Sequence, residues 1–337
     1  MKTLYLSDKQ EDILKCAEIL KNDGLVAIPT ETVYGLAGNA LKGSCVKKIF
    51  AAKGRPSDNP LIVHISDISQ WEPLVKAVPE KAKALAEKYW PGPLTIILPK
   101  SEIIPDEICG GLDTVAVRMP SNETARAIID ACSFPLAAPS ANTSGKPSPT
   151  TAQHVMADLD GKIDAIVDGG SSSVGIESTV ISLASDMPRL LRPGGITPEM
   201  LREVLGEIII DNAVYNKLAD GAKASSPGMK YKHYSPAAKV ILIKGTYDKY
   251  ISFVRKNADS TTAILCFEGE EVTDIPSVVY GKKDDPSSQA KHIFDALRSL
   301  DKIGAKTVYA RFPESDGVGL GVFNRLVRAA GFNIIEL

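Results

Sequence analysis

The chain has 337 residues, of which 44% are hydrophobic and 24% are charged, and its formal net charge is -2. This length is enough for two domains of ordinary size, each with its own core. A nearly neutral chain carries no global field for nucleic acids, so any anion-binding site must be local. The five cysteines are scattered and the four histidines lack metal-ligand spacing, which argues against disulfides and structural zinc.

The composition is typical of a soluble globular protein. The N-terminal residues include no apolar segment of the kind that signal peptides carry, and no window approaches about 18 consecutive apolar residues. We therefore expect a cytoplasmic protein with no part in the membrane.

A polar cluster follows the first predicted buried strand, residues 25–28. It is formed by Thr30, Glu31, Thr32 and Tyr34. One interpretation is an edge strand with threonines on its solvated face, as β-propensity alone allows. The other is a set of short, stiff hydrogen-bonding groups for a small polar ligand, because the branched Cβ of threonine restricts χ1.

The next feature is a basic turn between a predicted helix, residues 44–52, and a predicted buried strand, residues 61–65. The cations around this turn are Lys47, Lys48, Lys53 and Arg55. Pro56 and Pro60 stiffen it, so that little conformational entropy would be lost on clamping a phosphate. A solvated basic turn is the plain alternative. His64 ends the strand and would, alone, be typical of a core or surface histidine.

An arginine lies inside a later strand. A predicted helix over residues 79–90 is followed by strands over residues 94–98 and 114–119, and Arg118 lies within the second. A buried or half-buried arginine needs an anionic partner. That partner is either an acid of the protein, such as Asp113, or the carboxylate of a ligand.

Two loops rich in glycine and serine follow. Residues 139–148 lie between a small-residue strand and a helix, where α/β proteins carry ligand-binding loops, although the composition also fits a flexible linker. Residues 168–179 invite comparison with a P-loop, but Ile176 and Glu177 stand where that motif has Lys and Ser or Thr. The P-loop interpretation is therefore rejected. Arg192, at the end of a later strand, is a second candidate phosphate ligand.

A stretch without acids, residues 221–247, joins the first part of the chain to the last. At its centre, residues 226–236 read SPGMKYKHYSP, and their proline and glycine content is typical of a linker. Tyrosines flanked by cations could also cover a nucleotide, so we hypothesise that this linker closes as a lid over the site. Deleting residues 226–236 would then impair the reaction.

From residue 239 onward, predicted strands and helices alternate, which implies parallel βαβ units. Gly317, Gly319 and Gly321 open the last helix and could suggest dinucleotide binding, but their spacing is not G-x-G-x-x-G. We divide the chain into a first domain over residues 1–210, a linker or lid over 211–238 and a smaller α/β domain over 239–337.

Taken together, these segments resemble a known family. The likeness is carried, in order, by PTETVYGL at 29–36, KGRPSDNPL at 53–61, PGPLT at 91–95, VRMP at 117–120, PSANTSG at 139–145, ESTV at 177–180, RPG at 192–194 and the linker sequence at 226–236. All but the last closely resemble the YrdC-domain family. The linker with its α/β tail resembles the long form of that family, the SUA-type threonylcarbamoyl-AMP synthases, so the resemblance covers nearly the whole chain.

The resemblance implies a nucleotidyltransferase that condenses L-threonine, bicarbonate and ATP into threonylcarbamoyl-AMP and pyrophosphate. The product would feed threonylcarbamoyladenosine formation through a downstream threonylcarbamoyl transferase machinery, with tRNA itself an indirect partner. The implied fold is α/β, a YrdC-like twisted mixed sheet with helices around a concave basic cavity, plus a smaller C-terminal Rossmann-like parallel α/β domain. Mg²⁺ would arrive with the ATP phosphates, and no side chains are assigned to hold it.

The resemblance also implies roles for individual residues. On the L-threonine side these are Thr32, His64, Arg118, Ala138 and Ser178. On the ATP side they are Lys53, Arg55, Asn59, Thr114, Ser140, Asn142, Ser148, Arg192 and, from the linker, Tyr231 or Tyr234. Lys53 and Arg55 are also expected to act in catalysis, because a reaction without a covalent nucleophile depends on positioning and charge stabilisation.

Two other functions stay open. A basic concave face could hold double-stranded RNA in RNA maturation without making an adenylate. A carbamoyl or acyl adenylate enzyme could also use a different amino acid. Arg118, His64 and the threonine cluster favour the synthase, because an RNA-binding face has no need of amino-acid ligands.

Overall fold

The computed structural model describes residues 2–217, 226 and 234–337. Within these ranges the chain forms two sheets connected by α-helices and loops. The strands of the large sheet are β1 (Leu4–Ser7), β2 (Val26–Ile28), β3 (Gly35–Asn39), β4 (Ile62–His64), β5 (Leu94–Pro99), β6 (Thr114–Arg118), β7 (Leu136–Ala137), β8 (Ala165–Asp168), β9 (Thr179–Ser182), β10 (Arg189–Arg192) and β11 (Ile209–Ile210). Those of the small sheet are β12 (Lys239–Lys244), β13 (Thr262–Cys266), β14 (Ser277–Val279), β15 (Thr307–Arg311) and β16 (Ile334–Glu336). The α-helices are α1 (Gln10–Lys21), α2 (Gly43–Lys53), α3 (Glu80–Tyr89), α4 (Asp106–Cys109), α5 (Glu123–Cys132), α6 (Ala152–Leu159), α7 (Pro198–Leu205), α8 (Tyr247–Asn257), α9 (Pro286–Lys302) and α10 (Gly319–Ala329).

The large sheet is mixed. Its strand order is β1-β8-β2-β3-β7-β4-β6-β5-β9-β10-β11. Neighbours such as β4 and β6 run parallel, whereas β3 and β7, or β5 and β6, run antiparallel. In the described ranges, no helix is both long and apolar enough to cross a membrane.

Helices cover both faces of the large sheet because its central strands are apolar on both sides. In β2, Val26 and Ile28 pack in a cluster with α1 and α5, whereas Ala27, on the opposite face, joins the cluster of α2 and α3. The chain then passes through a buried connection to β3. Thr30 and Thr32 in this connection are almost inaccessible, so the interpretation as a solvated edge strand was wrong.

Strands β4 and β6 bring polar side chains to one place. They are parallel neighbours in register, with Ile62 beside Ala116 and His64 beside Arg118. Because side chains alternate along a strand, these residues share one face, and Val63 packs into the main core on the other. Two buried polar side chains from distant segments therefore become neighbours.

The small sheet is parallel throughout, with the order β14-β13-β15-β12-β16. Its core reaches into the first domain through Val33 and Ile176 and into the linker through Val214 and Tyr234, which all pack with residues of α9 and α10. The C-terminal domain thus packs against the segments that precede β3 and β9. The predicted α/β fold, a large mixed sheet with a smaller parallel domain, is confirmed.

Candidate functional site

A cavity lies where β4, β6 and β7 meet the loops before β3 and β9. It contains about 720 Å³ of space between atoms, counting the part open to solvent. The described residues that line it are Thr30, Thr32, Val33, Gly35, Lys53, Arg55, Ile62, His64, Arg118, Ala138, Pro139, Ser140, Asn142, Ser144, Gly145, Lys146, Ser148, Glu177, Ser178, Arg192 and Tyr234. These lining residues include several lysines and arginines and one carboxylate, that of Glu177. The cavity therefore favours anionic ligands.

Lys53 is the last residue of α2 and is almost completely buried. Gly54 ends the helix in the left-handed conformation, with a φ of 59° that a glycine adopts without strain. Lys53 Nζ donates to the carbonyl oxygens of Ser140 and of Asn142, the latter at 2.6 Å, which ties the glycine- and serine-rich loop to the lysine. Burial, reinforced by the charge of Arg55, holds the pKa of Lys53 well below its usual range.

The basic turn is only partly a binding element. Arg55 lines the cavity, and its Nη2 donates to the carbonyl oxygens of Asn59 at 3.2 Å and Pro60 at 3.0 Å, which holds the turn together. Lys47 and Lys48 do not take part, since the first pairs with an acid of α4 at 3.1 Å and the second donates to a distant main-chain carbonyl. Grouping them with the anion site was wrong, because a repeat of about 3.6 residues per turn places them on a different face from the end of the helix.

Arg118 is buried in the cavity wall. Its Nη2 lies 2.7 Å from Glu31 Oε1, its Nη1 donates to Thr32 Oγ1 at 2.8 Å, and its Nε donates to the carbonyl oxygen of Gly92 at 3.3 Å. The acid beside Arg118 is therefore Glu31, and the alternative of Asp113 was wrong. Burial disfavours the charged form of Glu31, but Arg118 outweighs burial, so the pKa of this carboxyl is lowered. The Glu31 carboxyl is therefore ionised at neutral pH.

Neutral side chains also line the cavity nearby. Thr30 Oγ1 donates its proton to the carbonyl oxygen of Val33 at 2.6 Å, so in its 2.9 Å contact with Thr32 the Thr32 hydroxyl must be the donor. The Thr32 oxygen is then left to accept. His64 Nδ1 lies 3.2 Å from the carbonyl oxygen of Ile62. Burial, with a neighbouring cation, lowers the pKa of His64 to about 3, so the ring is neutral near pH 7.

Ser178 and Arg192 form another part of the wall. Arg192 Nε donates to Ser178 O at 3.0 Å and its Nη2 to Ser178 Oγ at 3.1 Å, while the Ser178 hydroxyl also contacts Thr95 Oγ1 at 2.7 Å. Burial lowers the pKa of Arg192 to about 10, which leaves it charged at neutral pH. Glu177 precedes Ser178 in the chain and accepts a hydrogen bond from the Ser148 hydroxyl.

Most of the predicted site residues meet in this cavity. They are Thr32, Lys53, Arg55, His64, Arg118, Ala138, Ser140, Asn142, Ser148, Ser178, Arg192 and Tyr234. The main geometric result is that the four predicted cations converge. They come from α2 with the turn after it, from β6 and from β10, which are three distant parts of the chain.

Three predicted residues are not among the described lining. Asn59 is buried in the basic turn and Thr114 begins β6, where it pairs with Pro99. The side-chain amide atoms of Asn59 have no hydrogen-bond partner among the described residues, and its role stays a prediction, as does that of Thr114. Tyr231 lies outside the described residues, as does most of the proposed lid, whereas Tyr234 is buried at the cavity.

Lys146 and Glu177 line the cavity but were not predicted as site residues. Lys146 stands directly after the PSANTSG segment and Glu177 opens the ESTV segment. Their positions inside or beside these motifs were the sequence signal that could have identified them as site residues. Glu177 was considered only as a departure from the P-loop pattern, which gave it no role.

A metal ion held by side chains does not fit this cavity. The described residues contain no group of three or more His, Cys, Asp and Glu arranged for a metal. Glu177, the carboxylate of the described lining, is already engaged by Ser148 and by Arg325 of α10. Mg²⁺ requires a near-octahedral set of oxygen ligands, which these side chains do not supply.

Comparisons with known proteins agree with this geometry. A family model for Sua5, YciO and YrdC, described as telomere recombination, matches residues 18–194, and a model described as the C-terminal domain of threonylcarbamoyl-AMP synthase matches residues 196–331. The threonylcarbamoyl-AMP synthase of Pyrococcus abyssi is 50% identical over 95% of this chain and 94% of that protein. That of Bacillus subtilis is 46% identical over 98% of this chain and 96% of that protein.

A solved structure gives the same result. The crystal structure of P. abyssi Sua5 complexed with L-threonine matches with a TM-score of 0.92 at 45% identity and covers 100% of both chains. The two family models match in order along the chain, the relatives match over nearly its full length, and the solved structure has the same architecture. The chain belongs to the Sua5, YciO and YrdC family, in the form that carries the Sua5 C-terminal domain.

Proposed function

We infer that this chain is a threonylcarbamoyl-AMP synthase, which condenses L-threonine, bicarbonate and ATP into threonylcarbamoyl-AMP and pyrophosphate for tRNA modification. The observation that carries this inference is that four cations meet in one cavity. Arg118 is suited to an amino-acid carboxylate, and Lys53, Arg55 and Arg192 are suited to phosphates. The near full-length similarity to proteins of that name supports it.

L-Threonine is assigned to the part of the cavity around Arg118. Each terminal nitrogen of a guanidinium has two N–H groups, so the contacts to Glu31 and Thr32 leave a second one on each for a bidentate carboxylate. The Thr32 oxygen accepts from the threonine amine. Ser178 and the neutral His64 offer further polar contacts, and the small Ala138 leaves room for the ligand. The L-threonine complex of the P. abyssi protein supports L-threonine as the ligand.

The nucleotide is assigned to the other predicted cations of the cavity, Lys53, Arg55 and Arg192. The threonine amine combines with bicarbonate, with loss of water, to form a carbamate, whose oxygen attacks the α-phosphorus of ATP. The bond from that phosphorus to the bridging oxygen breaks, and its electron pair leaves with pyrophosphate. Lys53, Arg55 and Arg192 stabilise the charge that develops, and catalysis is positioning and electrostatics without a covalent nucleophile.

Mg²⁺ enters this proposal as a companion of ATP. Since the described carboxylates do not form a site for it, the phosphate oxygens and water are its ligands. It neutralises phosphate charge when bound. Excess chelator is expected to stop pyrophosphate release while leaving L-threonine binding unchanged, as measured by calorimetry.

The reaction itself is tested by following pyrophosphate. Release is expected only when L-threonine, bicarbonate and ATP are all present, because the carbamate is the attacking group. Omitting each reactant in turn supplies the controls, and serine or valine in place of threonine tests the choice of amino acid. Release without bicarbonate, or at the same rate with every amino acid, would contradict the inference. Binding of double-stranded RNA without any release would instead favour the RNA-binding alternative.

ATP binding is expected to take up protons. In the free protein, burial holds the pKa of Lys53 well below its usual range, and an arriving polyanion raises that pKa again. ATP affinity should therefore rise as pH falls through the lowered pKa. The measurement is a pH series of calorimetric titrations in buffers of different ionisation enthalpy, made where the phosphate groups, with a pKa of about 6, are already ionised.

Lys53→Arg is the matched control, because arginine keeps the charge but does not titrate in this range. Its binding enthalpy should not depend on the buffer. Proton release on binding, or equal proton uptake by the arginine variant, would show that Lys53 is not the titrating group.

The partners and compartment follow from the same reaction. The adenylate is an activated intermediate, so we propose that a threonylcarbamoyl transferase consumes it and that tRNA is reached through that enzyme. Because the product serves tRNA modification for translation, we propose that the protein acts in the cytoplasm. The part of the linker at Tyr234 and Ser235 supports a lid, since Tyr234 lines the cavity and Ser235 N donates to the carbonyl oxygen of Gly145 at 3.0 Å.

A further inference from the structure

Arg325, in the C-terminal domain, reaches the wall of the catalytic cavity. It lies on α10 and is completely buried. Its Nε donates to Glu177 Oε2 at 2.7 Å, its Nη2 donates to Glu177 O at 3.0 Å, and its Nη1 donates to the carbonyl oxygen of Pro193 at 2.8 Å. One side chain of the second domain therefore holds the two segments that carry Ser178 and Arg192.

Close packing makes this reach possible. A Cβ built on Gly321, one turn before Arg325, would lie 2.7 Å from Ile176 Cδ1 and 3.4 Å from Gly194 Cα. Glycine thus lets α10 approach the loop before β9 without displacing the end of the Ile176 side chain. This contact explains the glycine in the last helix without any dinucleotide, and it fixes the distance that Arg325 must span.

Glu177 is an unexpected residue in a cavity for a triphosphate. It lines the cavity as a carboxylate, and an uncompensated negative charge there would repel phosphates. Its other oxygen accepts from the Ser148 hydroxyl. A nucleotide can therefore bind beside Glu177 only if the charge of this carboxylate is balanced.

The balance comes from two guanidinium groups. Burial disfavours the charged form of Glu177, but Arg325 and Arg192 outweigh burial, and the pKa of this carboxyl is lowered. Arg325 makes the direct contact, which leaves Arg192 directed at Ser178. Without Arg325, the negative charge of Glu177 in the cavity would be less well balanced and would repel the phosphates of a nucleotide.

We propose that Arg325 is a positioning residue for ATP, which neutralises Glu177 from the C-terminal domain and so limits the repulsion between this carboxylate and the phosphates. The C-terminal domain then completes the active site in addition to carrying the end of the linker. The proposal rests on the proposed function only in taking ATP as the ligand. It is tested by ATP binding, and the function by pyrophosphate release, so either can fail alone.

The decisive variants are Arg325→Met and the double variant Arg325→Met with Glu177→Gln. Methionine fills much of the space without the charge, so ATP should bind at least about 30-fold more weakly, while L-threonine affinity changes by less than about threefold. Removing the stranded carboxylate in the double variant should restore ATP affinity to within about threefold of the unsubstituted protein. A purely structural role would not be rescued in this way.

Asp295→Ala is the matched control, because it removes another contact between the domains, the 3.1 Å pair of Asp295 with His154, at residues that do not line the cavity. Its ATP affinity should not change. If Arg325→Met does not fold, Glu177→Gln alone decides, since it lowers the negative charge beside the phosphates and should bind ATP as tightly or more tightly. Unchanged ATP binding in Arg325→Met, failure of the double variant to recover, or a tenfold loss in Glu177→Gln would overturn the proposal.

Discussion

Replacing Lys53 with alanine is expected to lower kcat/KM for ATP by about 10²–10³-fold, the scale of removing one preorganised charge-stabilising group. Lys53 is almost inaccessible, so its charge acts in a medium where water screens it little. The substitution also leaves the carbonyl oxygens of Ser140 and Asn142 without their shared donor, which loosens the loop that lines the site. Initial rates of pyrophosphate release measure the effect.

Lys47→Ala supplies the control on the same helix. Lys47 is an exposed lysine paired with Glu107 at 3.1 Å, and surface pairs of this kind contribute about 0–1 kcal/mol. Its kcat/KM should stay within about twofold of the unsubstituted enzyme. Similar losses for the two variants would mean that α2 contributes only general positive charge, and that the buried lysine has no special part.

Replacing Arg118 is expected to separate the two substrates. A charge-assisted hydrogen bond contributes about 1.5–3 kcal/mol, so losing a bidentate carboxylate contact should weaken L-threonine binding by about 10²-fold or more. ATP affinity should fall by only a few fold, because its phosphates are assigned to Lys53, Arg55 and Arg192. Calorimetric titration of each ligand in the absence of the other measures the two losses.

The variant must be chosen with Glu31 in mind. Arg118→Ala alone strands a buried carboxylate, and breaking a buried pair in this way costs about 3–5 kcal/mol of stability. Arg118→Ala combined with Glu31→Gln removes that charge and is the form to titrate, with Glu31→Gln alone as its control. Equal losses for L-threonine and ATP would show that Arg118 supports the cavity in general and does not bind the carboxylate.

The sequence prediction missed the strands β1, β3, β8, β11 and β14. Of these, β1, β11 and β14 are outermost strands, whereas β3 and β8 lie inside the large sheet. In β1 Leu6 is the buried residue, and the residues of β14 are all half-buried, so neither has the apolar run that marks a central strand. Strand β1 forms by pairing with β8, which lies far along the chain. Strand β14 forms by pairing with the earlier strand β13.

Residue type and local periodicity were enough to indicate the alternating C-terminal domain, the motif-bearing loops and the family, because each of these is written within a few consecutive residues. The tertiary structure alone decided which cations form the site. Lys53 and Lys47 look alike in the sequence, yet the helical repeat buries one and exposes the other. Arg118 acquires Glu31, and Glu177 acquires Arg325 from 148 residues away, through contacts that no local pattern specifies. A charge acts through space, and only folding sets the distances between charges that are far apart in the chain.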